Sequence, residues 1–224
     1  MKRISLFCMS VALAWVSASG QTTVNIPERR PVLSQEEIIA DLEATAARVM
    51  SDWKIPAIGI SLYKDGEVVL SKGYGVKDLG TGVPADEHTV FQIGSVTKSF
   101  TAAVLAQLVD EGLVSWEDRV RQHLPDFEMS DPWVTENIQI KDLTSHRSGM
   151  PYDMGTYLGN LGYGRDDIYR MFKLMPPGYT FRGDYRYNNI TFIPAAMVIE
   201  KVTGMSWEDN VRQRIFEPDR KSVV

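Results

Sequence analysis

Phe91-Gln92-Ile93-Gly94-Ser95-Val96-Thr97-Lys98-Ser99-Phe100-Thr101 runs without a break into Ala102-Ala103-Val104-Leu105-Ala106. This stretch predicts a buried helix with a nucleophile and its base at the front end. Residues three apart on a helix are surface neighbours, so Ser95 and Lys98 present a hydroxyl and an amine to one spot. A serine is a weak nucleophile until a neighbouring base takes its proton. A lysine serves as that base when burial or nearby positive charge lowers its pKa. The bland alternative is a helix-capping serine beside a solvated lysine.

Spacing alone does not single out this pair, because Ser-x-x-Lys occurs three times in the chain. Ser61 and Lys64 lie in a strand-like run, where an odd offset sends the side chains to opposite faces. Ser51 and Lys54 sit where a helix runs out before Pro56, since the residue preceding proline disfavours helix. Only Ser95 is followed by a long apolar helical run, with five consecutive apolar residues at 102–106. That run predicts a helix covered on most sides.

Composition narrows the setting. The 224 residues, 44% hydrophobic and 24% charged, suit a soluble globular protein. Lys2 and Arg3 precede a largely apolar run at 4–16 and the small residues Ala18-Ser19-Gly20. That pattern predicts a secretory signal peptide over residues 1–20, too short for a spanning helix. Cys8, the single cysteine, falls inside it, so disulfide and thiol chemistry are not expected in the mature chain. Without Lys2 and Arg3 the net charge moves from −5 to −7, a poor match to nucleic acid. A periplasmic or secreted location is expected, with no stable membrane anchor.

Residues 21–33 read as a leader segment. Ser34 predicts a helix cap with Glu36 and Glu37 in the first turn, followed by apolar residues at helical spacing through Met50. Residues 57–64 and 67–76 read as two strands joined by Asp65-Gly66, a two-residue hairpin signal. The Ser95 helix is expected to stop at Gly112. Beyond it, helices are expected from Trp116 to Leu124 and over 140–145, 166–174, 190–202 and 206–216. Residues 150–164 read as a plain exposed loop rich in glycine and tyrosine.

Nine tyrosines are present, and only Tyr187 begins a Tyr-x-Asn, as Tyr187-Asn188-Asn189. A loop tyrosine with a perturbed pKa suits proton transfer at Ser95. Asn189 would then hold Lys98 or a substrate amide; alternatively it caps the following helix. His88, His123 and His146 lack metal-ligand spacing and read as structural. No Gly-x-Ser-x-Gly occurs, which disfavours an α/β-hydrolase elbow.

The two motifs and their flanks resemble the serine β-lactamase-like family, which includes class C β-lactamases, DD-peptidases and related esterases. The matching text includes Lys54-Ile55-Pro56-Ala57, Gly73-Tyr74-Gly75-Val76, the Ser95 stretch and Gln107-Leu108-Val109-Asp110-Glu111-Gly112. It continues in Asp142-Leu143-Thr144-Ser145-His146-Arg147-Ser148-Gly149, Tyr187-Asn188-Asn189 and Ile215-Phe216-Glu217-Pro218. The resemblance implies an α/β (α+β) fold with an antiparallel sheet flanked by helices and an all-helical lobe. It also implies that Ser95 is acylated, Lys98 activates it, Tyr187 is the general acid/base and Asn189 helps bind substrate. One oxyanion donor would be the backbone N–H of Ser95.

The family's third motif, Lys-Thr-Gly or His-x-Gly, occurs nowhere after Asn189. The C-terminal strands are therefore expected to be missing, with residues 34–218 an incomplete hydrolase domain and the chain an inactive fragment. Residues 219–224 are expected to be a non-native tail, since they can be encoded by GAT CGG AAG AGC GTC GTG, which matches a common sequencing-adapter stretch. The expected function is hydrolysis of a β-lactam, D-alanyl peptide or ester through an acyl-enzyme. Small-molecule or peptide substrates are expected, without metal or cofactor, and partner proteins stay open. The alternative is a catalytically dead penicillin-binding-like recognition module.

Overall fold

The computed structural model describes residues 33–219. The expected signal peptide, nearly all of the leader segment and residues 220–224 of the expected tail lie outside them. Asp219 is described and ends the last helix. The chain divides into two compact units between Phe91 and Gln92.

The first unit opens with helix α1 (Gln35–Trp53). Ser34 caps it: its hydroxyl accepts the Glu37 N–H at 3.2 Å, and the Glu37 carboxylate accepts the Ser34 N–H at 2.7 Å. This reciprocal pairing satisfies two donors that a helix start leaves unpaired. Lys54 closes α1 in the left-handed conformation, and the chain enters an antiparallel hairpin of β1 (Ala57–Lys64) and β2 (Glu67–Gly75). Asp65 and Gly66 both have positive φ, 51° and 86°, as a tight turn matching strand twist requires. Glu43 of α1 accepts from Lys72 at 2.8 Å and from the Tyr74 hydroxyl at 2.9 Å, tying helix to β2. A Cβ on Gly75 would lie 2.1 Å from the Pro56 carbonyl oxygen, so only glycine fits there.

The second unit is helical. Gly94, at φ 52°, leads into a 3-10 turn (Gly94–Val96) and then α2 (Thr97–Asp110). There follow α3 (Val120–His123), α4 (Pro132–Asn137), α5 (Ile140–Thr144), α6 (Arg165–Met171), α7 (Phe192–Thr203), α8 (Trp207–Val211) and, after a π-helical stretch (Arg212–Phe216), α9 (Glu217–Asp219). Leu105 and Leu108 of α2, Ile140 and Leu143 of α5, and Val198 and Ile199 of α7 are completely buried. They form one core with Phe127 and Phe172. Trp207 donates its indole N–H to Thr101 at 3.0 Å, pinning α8 to α2.

Three expectations change. Helix α2 buries Thr101, Val104, Leu105 and Leu108, a single stripe at helical spacing, while Ala103 is exposed; it is not covered on most sides. The helix expected from Trp116 is reduced to α3. Ser115 and Asp118 bond locally instead: Asp118 accepts the Ser115 N–H at 2.9 Å and Ser115 accepts the Glu117 N–H at 3.2 Å. Such side-chain bonds compete with helical pairing. The helix expected at 190 begins at Phe192, because Asn188 accepts the Ile190 N–H at 3.1 Å and holds that residue in a turn.

Candidate active site

The 3-10 turn projects Ser95 from the start of α2, where it is exposed, and Lys98 follows in the first turn of the helix. Lys98 Nζ donates to Ser95 Oγ at 2.9 Å. From the far side of the unit comes the segment 187–189. Here Tyr187 and Asn189 face Ser95 and Lys98 while Asn188 points inward. Tyr187 Oη lies 2.5 Å from Ser95 Oγ, and either oxygen can donate. Lys98 Nζ also donates to Asn189 Oδ1 at 2.6 Å. The nitrogen sits 4.9 Å from the Tyr187 ring centroid and 5.4 Å from that of Phe192. The four residues singled out from the sequence thus meet at one place. Of the other two serines, Ser51 lies in the last turn of α1 and Ser61 in β1, both in the first unit.

Asn189 does not cap α7. Its amide nitrogen donates to Asp153 Oδ1 at 3.3 Å and Thr156 Oγ1 at 3.2 Å. Asn188 is fully buried and donates to the carbonyls of Pro151 at 3.1 Å and Met154 at 3.2 Å. The segment 150–156 is therefore not a plain exposed loop. It clamps the Tyr187 segment, and Met150 is buried at 1% exposure. Sequence reasoning missed Asp153, Thr156 and Asn188 because their partners are remote in the chain.

His146, read from the sequence as structural, also lies against the site. This residue, buried and at φ 59°, packs its ring on Tyr187 with centroids 4.5 Å apart. Its Nδ1 accepts the backbone N–H of Asn188 at 3.2 Å. Burial, and then the positive charge of Lys98, hold the imidazole below its ordinary pKa. On Tyr187, burial is the largest single influence and pushes the phenol up. It is outweighed by the hydrogen bonds with Lys98 and Ser95 together with the Lys98 charge, so the phenol lies below its ordinary value.

Among the described residues no cluster of histidine, cysteine or acidic side chains could hold a metal ion. None of their helices is long and apolar enough to cross a membrane.

An exposed serine hydroxyl flanked by an amine and a phenol, at the front of a helix in a helical unit, is an arrangement suited to nucleophilic attack on a carbonyl carbon. The chain belongs to the beta-lactamase family, whose pattern matches residues 42–223. It is 37% identical over 195 residues to the unguisins hydrolase ungD' of Aspergillus campestris, covering 83% of this chain and 36% of that protein. It is 32% identical over 171 residues to penicillin-binding protein 4 of Amycolatopsis lactamdurans, covering 73% and 43% respectively. The octameric penicillin-binding protein homologue from Pyrococcus abyssi superposes with a TM-score of 0.67 at 29% identity, over 82% of this chain and 43% of that one. The chain thus spans between a third and a half of the length of these relatives.

Proposed function

We propose that Ser95 is the acylated nucleophile of an exported hydrolase, with Lys98 and Tyr187 as its proton-transfer partners and Asn189 as the group that orients Lys98 and a substrate amide. The observation that carries this reading is the convergence on Ser95 Oγ of Lys98 Nζ at 2.9 Å and Tyr187 Oη at 2.5 Å.

In acylation, Ser95 Oγ attacks the carbonyl carbon of an ester or amide. The hydroxyl proton passes to the Tyr187–Lys98 pair, and the carbonyl oxygen becomes an oxyanion facing the Ser95 N–H. On collapse the leaving group departs with that proton and the acyl group stays on Ser95. Water repeats the exchange and frees the acid. A phenol below its ordinary pKa is the better proton acceptor near neutral pH.

The names of the relatives support an amide or lactam carbonyl as the target. A β-lactam, a D-alanyl peptide and a simple ester share this acyl chemistry. The positive start, apolar run and small residues over 1–20 support export to the periplasm or medium. The modest share of each relative that the chain spans supports the further reading that it carries one part of a longer hydrolase.

Wild-type chain and Ser95→Ala are incubated with a chromogenic cephalosporin, a D-alanyl-D-alanine peptide and p-nitrophenyl acetate. The expected result is Ser95-dependent acylation by at least one, with the fastest naming the substrate class. Equal reactivity of the Ser95→Ala chain with all three would overturn the reading.

A further inference from the structure

We infer that His146 is a positioning residue for Tyr187, its imidazole holding the phenol ring in place beside Ser95. The inference rests on the reading of Tyr187 as the acid/base.

Three contacts converge from His146 on the segment that carries the phenol. Its carbonyl accepts the Arg186 N–H at 2.8 Å, its Nδ1 accepts the Asn188 N–H at 3.2 Å, and its ring covers the Tyr187 ring at 4.5 Å. Residues on both sides of Tyr187 in the chain are therefore bonded to one histidine, and the ring between them rests on the same side chain. Two further rings close the pocket, Tyr185 at 5.4 Å and Phe192 at 5.6 Å.

The arrangement also selects the state of the imidazole. A backbone N–H only donates, so Nδ1 must keep its lone pair, and burial with the Lys98 charge nearby opposes protonation. A core filler needs none of this. The left-handed backbone at φ 59° is uncommon for residues other than glycine, and histidine is among those that tolerate it best. It turns the chain so that carbonyl, imidazole nitrogen and ring face the 186–188 segment together.

The test uses the full chain with tyrosine carbon-13 labelled at the ζ position, the Tyr187 resonance being assigned by its loss in Tyr187→Phe. Two variants separate the contacts. His146→Phe keeps a ring but removes the acceptor; His146→Asn keeps an acceptor and tolerates the positive φ but removes the ring. In both, the Tyr187 ionisation midpoint is expected to rise towards that of free tyrosine, because the phenol drifts from Lys98 and Ser95. Acylation of Ser95 is expected to slow about ten- to a hundredfold, as a misplaced catalytic group costs. In a Tyr187→Phe background, His146→Phe should add little.

An unchanged midpoint and acylation rate, with only the melting temperature lowered, would overturn the inference. Should both variants fail to fold, the wild-type chain decides. Protonating His146 is expected to shift the Tyr187 resonance with the histidine's own midpoint, and independent titrations would count against the inference. A wild-type Ser95 that resists acylation overturns the acid/base reading instead, while the Tyr187 resonance still reports whether His146 positions the ring.

Discussion

Ser95 and Tyr187, ninety-two residues apart in the chain, bring their side-chain oxygens to 2.5 Å. Lys98 completes the contact from one helical turn away, and Asn189 holds Lys98 in turn. Each hydroxyl therefore has the amine within reach, and a proton leaving Ser95 has a short path.

Lys98→Ala is expected to slow Ser95 acylation by about 10²–10⁴, the usual contribution of a positioned acid or base. The same change should raise the Tyr187 ionisation midpoint, because Lys98 supplies both a hydrogen bond and a charge that favour the phenolate. Stopped-flow acylation and the tyrosine titration read the two effects on one sample. A slow variant with an unmoved Tyr187 midpoint would confine Lys98 to binding.

The pH profile follows from the same shift. The folded phenol releases its proton at lower pH than free tyrosine, so acylation should climb as pH rises through a midpoint below about 10. In Tyr187→Phe that rise should vanish while the ring packing persists. A wild-type profile with its rise at or above the free-tyrosine value would contradict the assignment of Tyr187 as base.

Arg182 and Asp142 offer a stability test away from the chemistry. Asp142 is buried at 3% exposure, and Arg182 grips both of its oxygens, at 2.9 and 2.7 Å. Arg182→Met strands a carboxylate in the core and should cost about 3 kcal/mol, at the low end for a broken buried pair because the arginine is part exposed. Urea unfolding monitored by tryptophan fluorescence measures it. Asp142→Asn in addition should recover part of the loss, since no charge is then left unpaired.

The legible part of the site was local. An offset of three on a helix put Ser95 and Lys98 on a common face, while Tyr187 and Asn189 stood out only as a Tyr-x-Asn in a loop. Their meeting across the unit was legible only through the family resemblance, since no local rule links residues 95 and 187. His146 was read as structural because its role depends on a left-handed φ and on two backbone N–H groups forty residues away, neither written in side-chain type. In the fold, Asp65-Gly66 marked its turn correctly because both positions demand positive φ. Trp116 misled because capping by Ser115 and Asp118 outweighed helix propensity.

The central claim is that Ser95 carries the acyl group. The chain is exposed to an activated ester or a β-lactam, quenched, digested and mapped by tandem mass spectrometry. One adduct is expected, on the peptide containing Ser95, and it should disappear in Ser95→Ala. An adduct on Ser51, Ser61 or Ser148, or one that survives Ser95→Ala, would contradict it.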